Sequence, residues 1–284
     1  MPLTAMPSPA RLLRSSSRAL LIGVLVALFL APLVVMLTGS LRPPGLPPPR
    51  GVELLPQGAG LAAYAATFNL VPFGRALLNS VLLAAIFVPL SVVTASWAGL
   101  ALAHTSGWRW RTLAGAVLLL VMVPATAVWL TRFAVFKVLG LTGTPVPLVF
   151  PALMGGSPLF VLLYAVAFRR LPQELFEAAR LEGAGPLRLW RSIALPLVRP
   201  TTAAVALLAF GLSWSNFIDP LLYISGEDAL TAPLALHALE LLGSTQWPVL
   251  LAGAVVVTLP AVLAFLGAQR MFLGEERGSG WLGR

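Results

Sequence analysis

The sequence of 284 residues contains no cysteine and only two histidines, His104 and His237. Without cysteine, the chain has no disulfide framework, no thiolate metal site and no cysteine nucleophile. The two histidines are far apart along the chain, and no other metal-ligating residues cluster around either of them. We therefore expect no zinc site and no bound cofactor.

Charged residues are also scarce. They make up 10% of the chain, whereas soluble proteins contain about 25%. Hydrophobic residues make up 58%, so too few polar groups remain to cover a surface that faces water. This composition excludes intrinsic disorder, collagen and an ordinary soluble domain, and it predicts an integral membrane protein.

Long runs without charged residues predict six transmembrane helices, because a membrane-crossing helix needs about 20 apolar residues. The runs are too long and too uniformly apolar for the strands of a membrane barrel. The predicted spans are 19–41, 77–103, 112–131, 148–168, 200–224 and 247–269. We expect the core domain of the fold to occupy 77–270.

The net charge of +9 could suggest nucleic-acid binding, but the basic residues lie in the connections between apolar runs. Lys and Arg are enriched in cytoplasmic connections. If both termini are cytoplasmic, fourteen of these residues lie inside and five outside. The cytoplasmic segments are then 1–18, 104–111, 169–199 and 270–284, and the external ones are 42–76, 132–147 and 225–246. We expect no nucleic-acid partner.

The first span is preceded by arginines, as in a secretory signal peptide. It is too long for the apolar core of such a peptide, and no Ala-x-Ala cleavage site follows it. We interpret it as a retained signal anchor. The external segment that follows is rich in proline, and its second half, 61–73, predicts a short amphipathic surface helix.

Residues 169–199, the long loop, exceed the 2–8 residues that commonly connect helices in bundles. Pro172 suits the first turn of a helix, Gly183 and Gly185 end it, and Leu187–Ile193 predicts a second short helix. One interpretation places the arginines of this loop at lipid headgroups. The small Ala178–Ala179 pair favours the other, a helix on which a partner protein docks.

The spacing within the long loop resembles a known pattern. Glu177, Ala178, Ala179, Gly183, Ile193, Leu195 and Pro196 fill every position of the E-A-A-x3-G-x9-I-x-L-P loop of binding-protein-dependent ABC importer permeases. The resemblance implies that these seven residues couple the chain to an ATPase subunit. It also implies the all-α permease fold of type I importers.

Further matches are similar to the carbohydrate-importer permeases of the maltose and glycerol-phosphate type. They are the 214–221 stretch W-S-N-F-I-D-P-L, the Asn-Ser pair at 79–80, T-A-P-L at 231–234 and Q-R-M-F-L-G at 269–274. Ser215 is an extra residue relative to the W-N-x-F pattern, and the tail lacks the usual G-A-x-K-G ending. These departures concern the identity of the sugar.

This resemblance implies a set of partners. They are a second, homologous permease in a heterodimer, two copies of an ABC ATPase, an extracytoplasmic solute-binding protein and a sugar substrate. It also implies the cytoplasmic membrane of a bacterium or archaeon. The chain itself lacks a G-x-x-x-x-G-K-[ST] phosphate loop, and its single lysine, Lys137, is preceded by Phe136 and not by the glycine of that pattern. ATP hydrolysis is therefore expected in a separate chain.

Polar residues near the outer end of the fifth span are candidates for the translocation pathway. Trp214 could stack on a sugar ring, and Asn216 or Asp219 could accept hydrogen bonds from hydroxyl groups. An interfacial aromatic anchor and a helix-end charge explain the same residues equally well. Other functions stay open. They are an ABC permease for a non-sugar solute, a secondary transporter with Asp219 as a proton relay, and a membrane scaffold.

Overall fold

The computed structural model describes residues 9–51, 53 and 56–273. Every regular element within these residues is helical, which confirms the prediction of an all-α protein. The ends of the two predicted cytoplasmic tails, 1–8 and 274–284, lie outside the described residues, as does Gly274 of the C-terminal motif.

The helices of more than three residues are numbered here together with two short ones in the long loop. They are α1 (Pro9–Ser40), α2 (Ala62–Leu70), α3 (Phe73–Ala103), α4 (Gly107–Met122), α5 (Ala125–Val138), α6 (Val146–Leu153), α7 (Pro158–Arg169), α8 (Gln173–Leu181), α9 (Pro186–Arg188), α10 (Leu195–Leu197), α11 (Arg199–Trp214), α12 (Ile218–Tyr223), α13 (Ala232–Glu240) and α14 (Trp247–Leu273). A π-helical segment, Leu189–Ala194, joins α9 to α10.

Two compact units make up the chain, and the first comprises Met1–Val71 and Ala238–Val256. The helix predicted within 61–73 is present as α2, and it is anchored within this unit. The hydroxyl of Thr67 lies 2.9 Å from the carbonyl oxygen of Ala63 and 3.1 Å from that of Val249. The hydroxyls of Ser40 and Tyr64 are 2.8 Å apart and tie α1 to α2.

The second unit comprises Pro72–His237 and Val257–Arg284, and α3 is its central helix. Helix α3 packs against α6, α7 and α11, and α4 packs against α7. Small residues permit the close approach of these helices. A side chain at Gly99 would place its Cβ 2.5 Å from the Cβ of Tyr164, so the α3–α7 crossing requires glycine at this position.

Four stretches are long and apolar enough to cross a membrane: Arg18–Ser40, Phe73–Ala103, Val146–Arg169 and Ser244–Gln269. Two bent pairs, α4 with α5 and Pro186–Leu197 with α11, raise the number to six if each pair counts as one span. The chain is therefore a multi-pass membrane protein.

The third predicted span differs most from the structure. We expected one continuous helix over 112–131, but α4 ends at Met122 and α5 continues to Val138 at an angle of 89° to it. Pro124 explains the break, because proline disfavours helical geometry in the residue before it. Val123 is accordingly extended, with ψ 117°. Arg132, expected in an external loop, therefore lies on a helix.

The fourth and fifth predicted spans are also interrupted. The fourth divides into α6 and α7 around Gly155 and Gly156, which have φ angles of 88° and 72°. The fifth, expected over 200–224, divides into α11 and α12 on either side of 215–217.

Candidate functional site

Three helix interruptions in the second unit meet at one cavity of about 510 Å³, called the central cavity below. Its lining includes residues at each break: 123 and 125, 156–158 and 215–217. Leu83 and Phe87 of α3 contribute an apolar wall. Interrupted helices at membrane depth are tolerated where they are buried in protein or line a cavity, because their backbone polar groups need partners.

The break between α6 and α7 is set by a close contact. A Cβ on Gly156 would lie 2.6 Å from the hydroxyl oxygen of Ser91 on α3, and the φ angle of 72° also disfavours other residues. Ser157 then caps α7, its hydroxyl accepting a hydrogen bond from the backbone N–H of Leu159 at 3.3 Å. This corner of the central cavity is therefore fixed by glycine.

The central cavity contains one ion pair. Nη2 of Arg132 on α5 lies 3.2 Å from Oδ2 of Asp219 on α12. The amide of Asn216 donates to the same carboxylate oxygen at 3.1 Å, and the backbone N–H of Asp219 donates to Oδ1 of Asn216 at 3.2 Å. Because both charges are mostly shielded from water, each depends on the other for compensation.

These polar groups retain hydrogen-bonding capacity. A guanidinium has five N–H donors, and the ion pair uses one of those of Arg132. Oδ1 of Asp219 and the hydroxyl of Thr231 are buried without a hydrogen-bond partner within the described part of the chain. The central cavity thus combines apolar walls with a few polar groups and no net charge, an arrangement typical of sites for small polar molecules.

The structure brings Asn216 and Asp219 together but separates Trp214 from them. Trp214 is 4% exposed, its ring is stacked on Phe210, and its indole N–H donates to the carbonyl oxygen of Val257 at 3.0 Å. Its ring borders a different, apolar cavity of about 590 Å³. Trp214 therefore packs helices together and lies apart from Asn216 and Asp219, and its stacking on a sugar stays a prediction.

Arg132 and Trp129 are among the residues of the central cavity that the sequence reasoning missed. Both lie on α5, beyond the break at Pro124. The available signal was a proline in the middle of an apolar run with a charge eight residues later.

The long loop forms a helix, a glycine turn and a second helical segment. Helix α8 ends in a motif in which Gly183, with φ 80°, allows the N–H of Ala184 to bond the carbonyl of Ala179 at 2.9 Å. A left-handed glycine after a helix commonly supports this type of bond. No atom lies within 4 Å of a Cβ placed on Gly183, so the backbone conformation alone demands glycine.

Helix α8 has one buried and one exposed face. Phe176 and Ala179 are buried in the core of the second unit, whereas Glu177 and Ala178 are exposed. Leu181 is 90% exposed, although it is large and apolar. The expected small Ala178–Ala179 contact surface is therefore corrected: Ala178 belongs to the exposed face, and Ala179 packs inside the protein.

The remaining residues of the loop pattern serve the fold directly. Ile193 and Leu195 are partly buried and pack against the core of the second unit, and Pro196 lies half-buried beside them.

The Asn-Ser pair at 79–80, near the start of α3, holds the segment that leads into α13. The amide of Asn79 donates to the carbonyls of Asp228 and Leu230, both at 2.9 Å, and the hydroxyl of Ser80 accepts from the N–H of Ala232 at 2.8 Å.

No group of three or more histidine, cysteine or acidic residues that could hold a metal ion occurs within the ranges that the structure describes. The site consists of the central cavity and the exposed face of α8. One can accommodate a small polar molecule, and the other can contact a protein.

Comparison with known proteins agrees with these features. A family model described as the inner membrane component of binding-protein-dependent transport systems matches residues 58–272. The trehalose transport system permease protein of Mycobacterium tuberculosis is 29% identical over 261 residues, covering 90% of this chain and 94% of that protein. The arabinooligosaccharides transport system permease protein of Halalkalibacterium halodurans is 32% identical over 195 residues, covering 69% of each chain.

Among solved structures, a chain of a bacterial ABC transporter involved in the import of the acidic polysaccharide alginate has the same fold. It superposes with a TM-score of 0.78 at 20% identity, covering 95% of this chain and all of that chain. The family resemblance read from the loop spacing is confirmed. Since the family model covers most of the sequence, the chain belongs to the inner membrane components of binding-protein-dependent transport systems.

Proposed function

We propose that this chain forms half of the membrane pathway of an ATP-driven importer for sugars or sugar-like solutes, such as a disaccharide or oligosaccharide. The observation that carries the proposal is the central cavity, where three helix breaks and the Arg132–Asp219 pair meet. Transporters commonly bind their solutes at interrupted helices.

The charge of the cavity supports an uncharged, hydroxyl-rich solute. Arg132 and Asp219 are the only charged residues in the described lining, and they neutralise each other. A neutral sugar can donate to and accept from their remaining polar atoms without separating them. A trehalose and an arabinooligosaccharide permease among the relatives agree with this choice.

The exposed face of α8 supports docking of a separate ATPase subunit. Glu177, Ala178 and Leu181 project from a helix whose other face is held in the core. A helix fixed in this way can move with its unit as a rigid body when a docked ATPase closes. The Lys and Arg distribution supports cytoplasmic termini and a cytoplasmic long loop.

The proposed assembly contains this chain, a second and homologous permease, two ATPase copies and an extracytoplasmic solute-binding protein. ATP hydrolysis is assigned to the ATPase chains, because this sequence has no phosphate-binding loop. Differential contacts with the ATPases would shift the pathway between its inward-open and outward-open states.

The test is transport by the assembled importer in lipid vesicles, with radiolabelled trehalose, lactose, arabinotriose and methionine as probes. We expect ATP-dependent uptake of at least one of the three sugars and none of methionine, with no effect of a protonophore. Uptake of methionine alone would contradict the sugar assignment. Uptake that needs no ATP and stops with the protonophore would instead indicate a secondary transporter that relays protons through Asp219.

A further inference from the structure

The long loop is tied to α3 by a hydrogen bond between two side chains. The indole N–H of Trp190, in the π-helical segment, donates to the hydroxyl of Ser96 at 2.9 Å. Ser96 is fully buried, and its hydroxyl also lies 3.0 Å from the carbonyl of Val93 on its own helix. The ring of Trp190 meets Trp97 edge to face, with centroids 5.4 Å apart.

Two other residues of the same loop contact the segment where α3 ends and α4 begins. Nη1 of Arg169 donates to the carbonyl of Thr105 at 2.9 Å, and its guanidinium lies 4.1 Å from the ring centroid of Trp110. Phe176 on the buried face of α8 meets His104 edge to face at 5.2 Å. The loop is thus held from the side by α3 and α4, in addition to its connections along the chain.

The connection along the chain from the long loop to α11 is less suited to transmit a movement of α8. Pro186–Leu197 meets α11 at 89°, and Pro200 at the start of α11 removes a backbone donor at this corner. A push on α8 can change such a corner angle before it moves α11. The lateral contact to α3 has no comparable bend, because α3 is one helix from Phe73 to Ala103.

We propose that Trp190, through its hydrogen bond to Ser96, is a positioning residue that makes the long loop and α3 move together. The proposal rests on the proposed function, since it takes α8 as the docking point of the ATPase. Phe87 of α3 lines the central cavity nine residues before Ser96, which is about 13 Å along the helix. A displacement of α8 would reach the cavity wall through this one continuous helix, which contains Pro89 between the two residues.

The first measurement is the amount of sugar taken up per ATP hydrolysed by the assembled importer in vesicles. The probes are the radiolabelled trehalose, lactose and arabinotriose used above. Trp190→Phe keeps an aromatic ring but removes the donor, and Ser96→Ala removes the acceptor. We expect each to lower the ratio about fivefold, the factor that corresponds to one ordinary hydrogen bond. The double variant should fall no further, because both changes remove the same interaction.

Trp108→Phe is the matched control. Trp108 is 72% exposed at the start of α4. The sugar uptake per ATP hydrolysed by this variant should therefore stay within about twofold of the wild-type value. A contact that only stabilises the fold would lower the thermal stability of the Trp190 and Ser96 variants but leave their uptake per ATP unchanged.

The second measurement follows the motion itself. The chain has no cysteine, so spin labels can be placed at Ala101→Cys on α3 and Gln173→Cys on α8, both exposed positions. When the ATPase is trapped with ATP and vanadate, we expect the distance between the two spin labels to stay constant in the protein that keeps Trp190. In Trp190→Phe it should shift by about 2 Å or broaden, a helix shift of common size.

The proposal is overturned if both single variants keep the wild-type uptake per ATP, or if the label distance responds to trapping equally with and without Trp190. In either case ATP-driven uptake by the wild type would still support the proposed function. If the wild type itself shows no ATP-dependent uptake, the proposed function fails and this inference fails with it.

Discussion

The central cavity and the long loop are built in opposite ways. The cavity is assembled from three breaks far apart in sequence, and its charges lie inside the protein as the Arg132–Asp219 pair. The long loop is a continuous segment whose charges lie outside, around an apolar face that packs on the core. Solute contact therefore depends on long-range packing, whereas partner contact depends on local helix geometry.

The largest effect should come from breaking the charge pair of the cavity. Arg132→Leu leaves the carboxylate of Asp219 buried without its cation, which should cost about 3 kcal/mol of stability. We expect uptake to fall at least about 100-fold. Thermal unfolding of the purified importer and vesicle uptake measure the two effects.

The matched variant combines Arg132→Leu with Asp219→Leu. Removing both charges should restore most of the stability, because no unpaired charge remains. Uptake should stay low if the pair contacts the solute or moves during transport. Wild-type uptake in the double variant would show that the pair is only a packing element.

The next effect concerns the backbone of the long loop. Gly183→Val forces a β-branched residue into a conformation with φ 80°, at a cost of about 1–2 kcal/mol. We expect the protein to insert normally but uptake to fall about tenfold while ATP hydrolysis continues. Gly185→Ala is the control, since Gly185 has φ −72° and open space around it. Equal losses in both variants would argue against a specific role for the turn.

A smaller effect is expected at the exposed face of α8. Glu177→Lys reverses a charge that is exposed and makes no ion pair within the described residues. Stability should be unchanged, whereas coupling of ATP hydrolysis to uptake should fall about fivefold through repulsion at the partner surface. A wild-type ratio of uptake to hydrolysis would remove Glu177 from the coupling residues.

The smallest effect should be at Trp214. Trp214→Phe loses one hydrogen bond to Val257 but can keep the stacking on Phe210, so stability should fall by about 1 kcal/mol. Uptake should remain within about twofold of the wild type, because the ring lies outside the central cavity. A large fall in uptake with unchanged stability would instead indicate that Trp214 contacts the solute in the translocation pathway.

The sequence predicts the long loop better than the cavity, for a physical reason. The helix, its glycine turn and the second segment follow from residues within 31 positions, because caps, proline and glycine act locally. The buried face was less accessible to prediction. Which of Ala178 and Ala179 packs inside depends on how α8 packs against the π-helical segment, Leu189–Ala194.

The cavity depends on contacts that no local pattern contains. Pro124 predicts a helix boundary, but it does not show that α5 turns by 89° and carries Arg132 toward Asp219, 87 positions away. From the composition alone, Arg132 and Asp219 were each interpreted as a charge at the end of a membrane span. Asn216 and Asp219 were identified as candidates because polar residues in apolar runs are uncommon. A tryptophan such as Trp214 is compatible both with the membrane–water interface and with the protein core.

The neutral lining of the central cavity bears on the energetics of the membrane. Moving one elementary charge across the membrane changes the free energy by about 2.3 kcal/mol per 100 mV. Arg132 and Asp219 cancel each other, and the described lining has no third charge. A conformational change that moves this lining with an uncharged solute therefore carries almost no net charge through the electric field. Uptake should then proceed at nearly the same rate in energised and de-energised cells, as long as ATP is supplied.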